Sequence, residues 1–132
     1  MTDETIPQNV RALITDFVDS VVHLEILLLI SRNPQEAFSA EAVGKKLGIR
    51  PDWAEADLGV LASRGLLEAS GEAPRVYRYA PRTEELRAAI GGLDLAYQQR
   101  RVSVINLIFA KPIDRLRDFA DAFRLRKDKH DA

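Results

Sequence analysis

Two histidines, His23 and His130, are the side chains in this sequence best suited to moving protons near neutral pH. They stand far apart in the chain. His23 lies one helical turn after Asp19, a spacing that predicts a local carboxylate–imidazole pair rather than a catalytic one. The carboxylates are many but scattered along helical faces, the pattern of solvated surface. Cysteine is absent, which removes disulfides, cysteine-ligated zinc, iron–sulfur clusters and thiol nucleophiles. The sequence also has no glycine-rich phosphate loop, no His-x-x-x-His pair and no nucleophile elbow. These residues point away from an enzyme, and neither a cofactor nor a metal is expected.

Binding chemistry is the remaining possibility. Lys45, Lys46, Arg50, Arg75, Arg78 and Arg82 fall within one central stretch and have the chemistry of phosphate clamps. They read equally well as solvated charges, since lysines ending a helix already complement its dipole. Trp53 has two readings: an exposed anchor for a partner, or a core residue tucked against a neighbouring element. Asp52 and Glu55 have the spacing of a capping box, and Asp57 adds a third carboxylate close by.

The elements that must position these residues follow from composition and periodicity. The chain has 132 residues, 46% hydrophobic and 30% charged, with a net charge of −1. That suffices for one domain with terminal extensions and excludes a polycation that coats nucleic acid. Charge is nonetheless uneven. Residues 1–31 carry five acids against Arg11 alone, and residues 98–132 carry nine Lys/Arg against five Asp. This asymmetry fits head-to-tail or subunit contacts, a surface with affinity for phosphate, or differently solvated helix faces. The longest apolar run, Ile26–Ile30, is far short of the ~20 residues of a membrane span. The acidic start lacks the order of a signal peptide. A soluble cytoplasmic protein without membrane contact is expected.

Residues 1–7 read as a loose arm. Apolar residues from Val10 to Leu28 step by three and four, predicting one long helix or two broken near Asp19-Ser20, where Ser20 is a suitable N-cap. Asn33-Pro34 ends that segment. Ala37-Phe38 can form a very short strand. Ser39 caps a helix over 40–47 closed by Gly48, and Pro51-Asp52 open another that runs to Arg64 and stops at Gly65. Leu58 and Leu61 should be buried beneath a hairpin made of 66–68 and 75–79, with Leu24 and Leu28 on their other side. Thr83 caps a long helix weakened at Gly91-Gly92, where a kink or a close helix approach is expected. Val102–Ala110 reads as the buried end of that same helix, with a strand as the alternative. Pro112 starts a last helix, and the charged tail frays.

The block Leu58-Gly-Val-Leu-Ala-Ser-Arg-Gly-Leu-Leu67, the helix Ser39–Gly48 with its turn to Pro51, and Tyr77-Arg-Tyr79 carry a resemblance. Residues 20–83 resemble the winged helix-turn-helix domain of bacterial MarR-like and ArsR-like transcription regulators. The resemblance implies a mainly α fold with a small β-hairpin wing, its core flanked by extra N- and C-terminal helices. The expected division is an arm over 1–7, an N-terminal helix plus winged core over 8–83, C-terminal dimerisation helices over 84–126, and a charged tail over 127–132. It also implies a DNA-binding regulator, with double-stranded DNA met by Lys45, Lys46, Arg50, Trp53, Glu55, Arg75 and Arg78. The helix over 51–64 would enter the major groove, yet its outward residues Asp52, Trp53, Glu55, Ala56, Gly59 and Val60 include no Lys or Arg. Glutamate can accept a hydrogen bond from cytosine, so the acids are compatible with DNA. A homodimer is expected, built on surplus apolar residues Phe17, Val102, Ile105, Ile108, Phe119 and Phe123. The alternative is a winged helix without direct DNA binding that docks a protein partner. A third reading is a sensor with a small apolar ligand between the long helices.

Overall fold

A computed structural model describes residues 6–72 and 74–110. Six helices and a three-stranded antiparallel sheet occupy them: α1 (Gln8–Phe17), α2 (Val21–Ser31), β1 (Ala37–Ser39), α3 (Ala40–Leu47), α4 (Pro51–Ser63), β2 (Leu67–Ser70), β3 (Val76–Tyr79), α5 (Glu84–Gln99) and α6 (Arg101–Phe109). The helix expected from Pro112, the dimer candidates Phe119 and Phe123, His130 and the charged tail lie outside the described residues.

Local signals set most boundaries. The first apolar stretch breaks at Asp19-Ser20, and Ser20 Oγ accepts the His23 N–H at 3.1 Å to start α2. Ser39 and Thr83 cap α3 and α5 in the same way, each at 3.1 Å. Gly48 and Gly65 close α3 and α4 with φ of 72° and 84°, the left-handed region where a side chain is strained. Pro51 occupies the first turn of α4, where its missing N–H costs nothing.

α2 is apolar all round and forms the centre: Leu24, Ile26, Leu27 and Ile30 have no solvent exposure. α4 lays Ala54, Leu58 and Leu61 against it, all fully buried, and strand β2 follows directly from α4. The sheet order is β1-β3-β2, with Phe38 and Ala69 opposite Tyr77 and with Glu68 opposite Arg78. The expected hairpin thus gains β1 as a third strand. α1 packs on α5 and α6. A Cβ on Gly92 would stand 2.9 Å from Val10 Cγ2, so Gly92 serves the close approach of α1 and α5, whereas Gly91 faces open space.

Two boundaries differ from expectation. Ile6 is buried and Pro7 stands at the N-cap of α1, so both belong to the folded part rather than to a loose arm. The segment after Gln99 is helical but not continuous with α5. Arg100 leaves helical geometry (φ −135°, ψ 53°), and α6 turns to contact both α5 and α1, burying Val104 and Ile108. No helix among the described residues is long and apolar enough to cross a membrane.

Candidate nucleic-acid interface

α3, the turn over 48–50 and α4 form the helix-turn-helix unit, and β2–β3 form the hairpin beside it. Lys45 and Lys46 end α3, exposed, and make no ion pair with a described residue. Arg50 stands at the mouth of α4. Its Nε and Nη2 donate to Asp52 Oδ1 and Oδ2 at 3.1 and 2.9 Å, and its guanidinium lies 5.3 Å from the Trp53 ring centroid. Trp53 is 59% exposed, which excludes the core reading for this residue. Arg75 and Arg78 are exposed at the base of the hairpin loop and along β3.

The carboxylates of α4 are engaged in ways that spacing did not reveal. The helix begins at Pro51 with Arg50 as its N-cap, so Asp52 and Glu55 do not form a capping box. Asp52 accepts the Trp53 N–H at 3.0 Å and pairs with Arg50. Desolvation pushes the Asp52 carboxyl up, but the Arg50 hydrogen bond and charge outweigh it and hold the pKa below the ordinary carboxylate value. Glu55 Oε2 accepts the hydroxyl of Tyr77, whose ring is buried under α4. Burial raises the pKa of this phenol, Glu55 raises it further and Arg75 opposes both. The phenol therefore keeps its proton at neutral pH and donates it.

Asp57 turns away from the exposed face. Its Oδ1 lies 3.0 Å from Nε2 of buried His23. The Asp19 N–H reaches His23 Nδ1 at 3.4 Å, an acceptor role that leaves the ring proton on Nε2 for Asp57. The expected Asp19–His23 side-chain pair is thus corrected: Asp19 offers its backbone, and its carboxylate takes Arg64 Nη2 at 2.8 Å. Arg64 also donates to the Phe17 carbonyl at 2.9 Å. The α1–α2 joint is fastened to α4 through Asp57 and through Arg64. Sequence reasoning missed Arg64, Tyr77 and the Asp57 contact, because partners separated by 22 to 47 positions leave no local signal.

The candidate dimer residues divide. Val102 is 69% exposed and Ile105 is half-buried; with Phe109, not singled out by sequence reasoning and 60% exposed, they form one outward stripe at helical spacing on α6. Phe17 is half-buried. Ile108 is fully buried within the chain's own core, on the opposite stripe with Val104, and drops out of the surplus. A cavity of about 400 Å³ opens beside α2, lined by residues including Leu28, Leu29, Leu47, Tyr97, Glu25 and Arg101. Its lining mixes apolar side chains with the charged Glu25, Arg32 and Arg101. No cluster of metal-ligating side chains occurs among the described residues.

No family model matches the sequence, and no curated protein matches it. Solved structures do. The chain is similar to the homodimeric winged helix-turn-helix DNA-binding domain of Mb0332 from Mycobacterium bovis, a possible ArsR-family transcriptional regulator. The TM-score is 0.52 with 24% identity, covering 67% of this chain and 79% of that one. It is also similar to a mutant of ZitR from Lactococcus lactis, with a TM-score of 0.52 and 15% identity over 85% of this chain and 77% of that one. These likenesses establish the fold as winged helix-turn-helix.

Proposed function

We propose that this protein is a dimeric winged-helix regulator that binds double-stranded DNA, with α4 toward the major groove and the β2–β3 wing on the backbone. The observation that carries the reading is the state of the α4 carboxylates. Asp52 is matched by Arg50, Asp57 turns inward to His23, and Glu55 is held by Tyr77 with Arg75 close by. Of the three acids, Arg50 offsets the charge of Asp52 at contact and Asp57 points away from the outward face, so Glu55 is the one carboxylate of α4 presented outward without an ion-pair partner among the described residues. Lys45, Lys46 and Arg78 remain uncommitted to any described carboxylate and are available for phosphate. Trp53 and Glu55 present the groups that can meet base edges.

The homodimeric state of the similar Mycobacterium bovis domain supports a dimer here, as does the outward stripe Val102–Ile105–Phe109 on α6. The second reading, a winged helix that docks a protein, is favoured by one observation, the 59% exposure of Trp53. Titration of the full chain with a mixed-sequence duplex at about 50 and 200 mM salt separates the two. The regulator binds at low salt and weakens steeply at high salt. A chain that fails to bind even at low salt is not a regulator of this kind.

A further inference from the structure

We infer that Tyr77 is a positioning residue that holds Glu55 in the orientation of a cytosine reader, an inference that rests on the DNA-binding reading above.

Glu55 is exposed at the fifth position of α4, within the N-terminal part of the helix that meets base edges when such a helix lies in the major groove. An exposed glutamate ordinarily samples many rotamers, and ordering it on binding opposes affinity. Here one oxygen is already fixed. Oε2 accepts the Tyr77 hydroxyl, and Tyr77 is itself held in the middle of β3, its ring 1% exposed between Phe38 on β1 and Ala69 on β2. The positive charge of Arg75 acts on the same phenol, opposing the upward push of burial and of Glu55 on its pKa. The result is a carboxylate anchored at one oxygen by a buried tyrosine. Its far end, Oε1, accepts from no described residue.

The chemistry of that free end selects its partner. An ionised carboxylate only accepts. In the major groove guanine presents two acceptors and thymine an acceptor and a methyl group. Adenine sets an acceptor beside its amino donor, and cytosine alone presents a donor without an adjacent acceptor. A carboxylate aimed at the groove therefore favours cytosine and is repelled elsewhere.

The test is selection of duplexes from a randomised library by the full chain, followed by titration of the selected duplex and of versions changed at single positions. The wild type should require cytosine at one position, with about tenfold weaker binding when that base is replaced, the lower part of the range for one specific base contact. Glu55→Gln keeps an acceptor for Tyr77 but adds an amide donor, so its preference at that position should move to adenine. Tyr77→Phe should lose most of the cytosine preference while binding of unselected duplex stays the same, which a purely structural role would not produce. Should Tyr77→Phe fail to fold, Glu55→Gln decides alone, because Glu55 is exposed. A wild type that binds duplex with no cytosine requirement, or a Glu55→Gln variant with unchanged preference, overturns the inference and leaves DNA binding standing. Unchanged preference in folded Tyr77→Phe removes the positioning role. A wild type that binds no duplex overturns both.

Discussion

His23 on α2 and Asp57 on α4 meet at 3.0 Å, so a buried imidazole is hydrogen-bonded to the helix that carries the candidate interface. The partner sits 34 positions away, and the other ring nitrogen faces the Asp19 N–H. The imidazole therefore ties the α1–α2 joint to the middle of α4. Asp57→Ala should destabilise the protein by about 1–3 kcal/mol, the usual consequence of leaving a buried donor without its acceptor. Denaturant melts of the variant and wild type at pH 7 check this. A change near zero would mean that water replaces the carboxylate and that the pair does not fasten the joint.

The core that supports α4 gives a second expectation. Leu61 is fully buried where α4 meets α2 and the start of β2. Leu61→Ala should cost about 2–5 kcal/mol, from the forfeited transfer energy and the cavity left behind. Equilibrium unfolding measures it, and a loss below about 1 kcal/mol is incompatible with a site that cannot collapse.

Acid stability follows from a pair that no local pattern revealed. Arg32 closes α2 and donates twice to Asp94 Oδ1, at 3.1 and 2.6 Å, and once to Oδ2 at 3.2 Å. The Arg32 hydrogen bond lowers the Asp94 pKa against the upward push of burial, with Gln98 helping. A carboxyl whose pKa falls on folding adds stability above its unfolded value near 3.8 and loses it as the pH drops through the lower folded value. Asp94→Asn should therefore cost about 1 kcal/mol at pH 7, a figure kept small because Arg32 is half exposed. The difference from wild type should shrink toward zero at about pH 2. Thermal melts across that range check the sign, and a gap that widens on acidification contradicts it.

Most of the fold was legible in the sequence because its signals are local. Ser20, Ser39 and Thr83 stand at N-caps, Gly48 and Gly65 at left-handed turns, and Leu58 and Leu61 repeat at helical spacing. The site was legible in its residue types but not in its couplings. Asp52 and Glu55 obey capping-box spacing, yet Pro51 moves the helix start so that Arg50 is the N-cap, and other partners then claim both acids. The break at Arg100 was equally hidden: Gln98-Gln99-Arg100-Arg101 contains neither glycine nor proline, and the turn is made by packing of α6 on α1.

Assembly can be tested separately from DNA binding. The proposed dimer uses the α6 stripe, and its interface should exceed roughly 2,000 Å² as obligate homodimers commonly do. Sedimentation at micromolar concentration should give twice the 14.8 kDa chain mass. Val102→Asp places a charge on that stripe at an exposed position and should shift the equilibrium toward monomer without unfolding the protomer. A wild-type monomer under these conditions removes the dimer from the proposal.

The central claim is that a basic frame around α4 holds DNA. The most direct measurement is the dependence of duplex affinity on salt, compared between wild type and the Arg75→Ala, Arg78→Ala double variant. Each phosphate partner removed should flatten the slope of log K against log salt by about 0.9, and affinity should fall alike for all sequences. A steep wild-type slope that the double change flattens by nearly twice that amount is the predicted result. A double variant with the wild-type slope, or a wild type whose affinity ignores salt, contradicts the account.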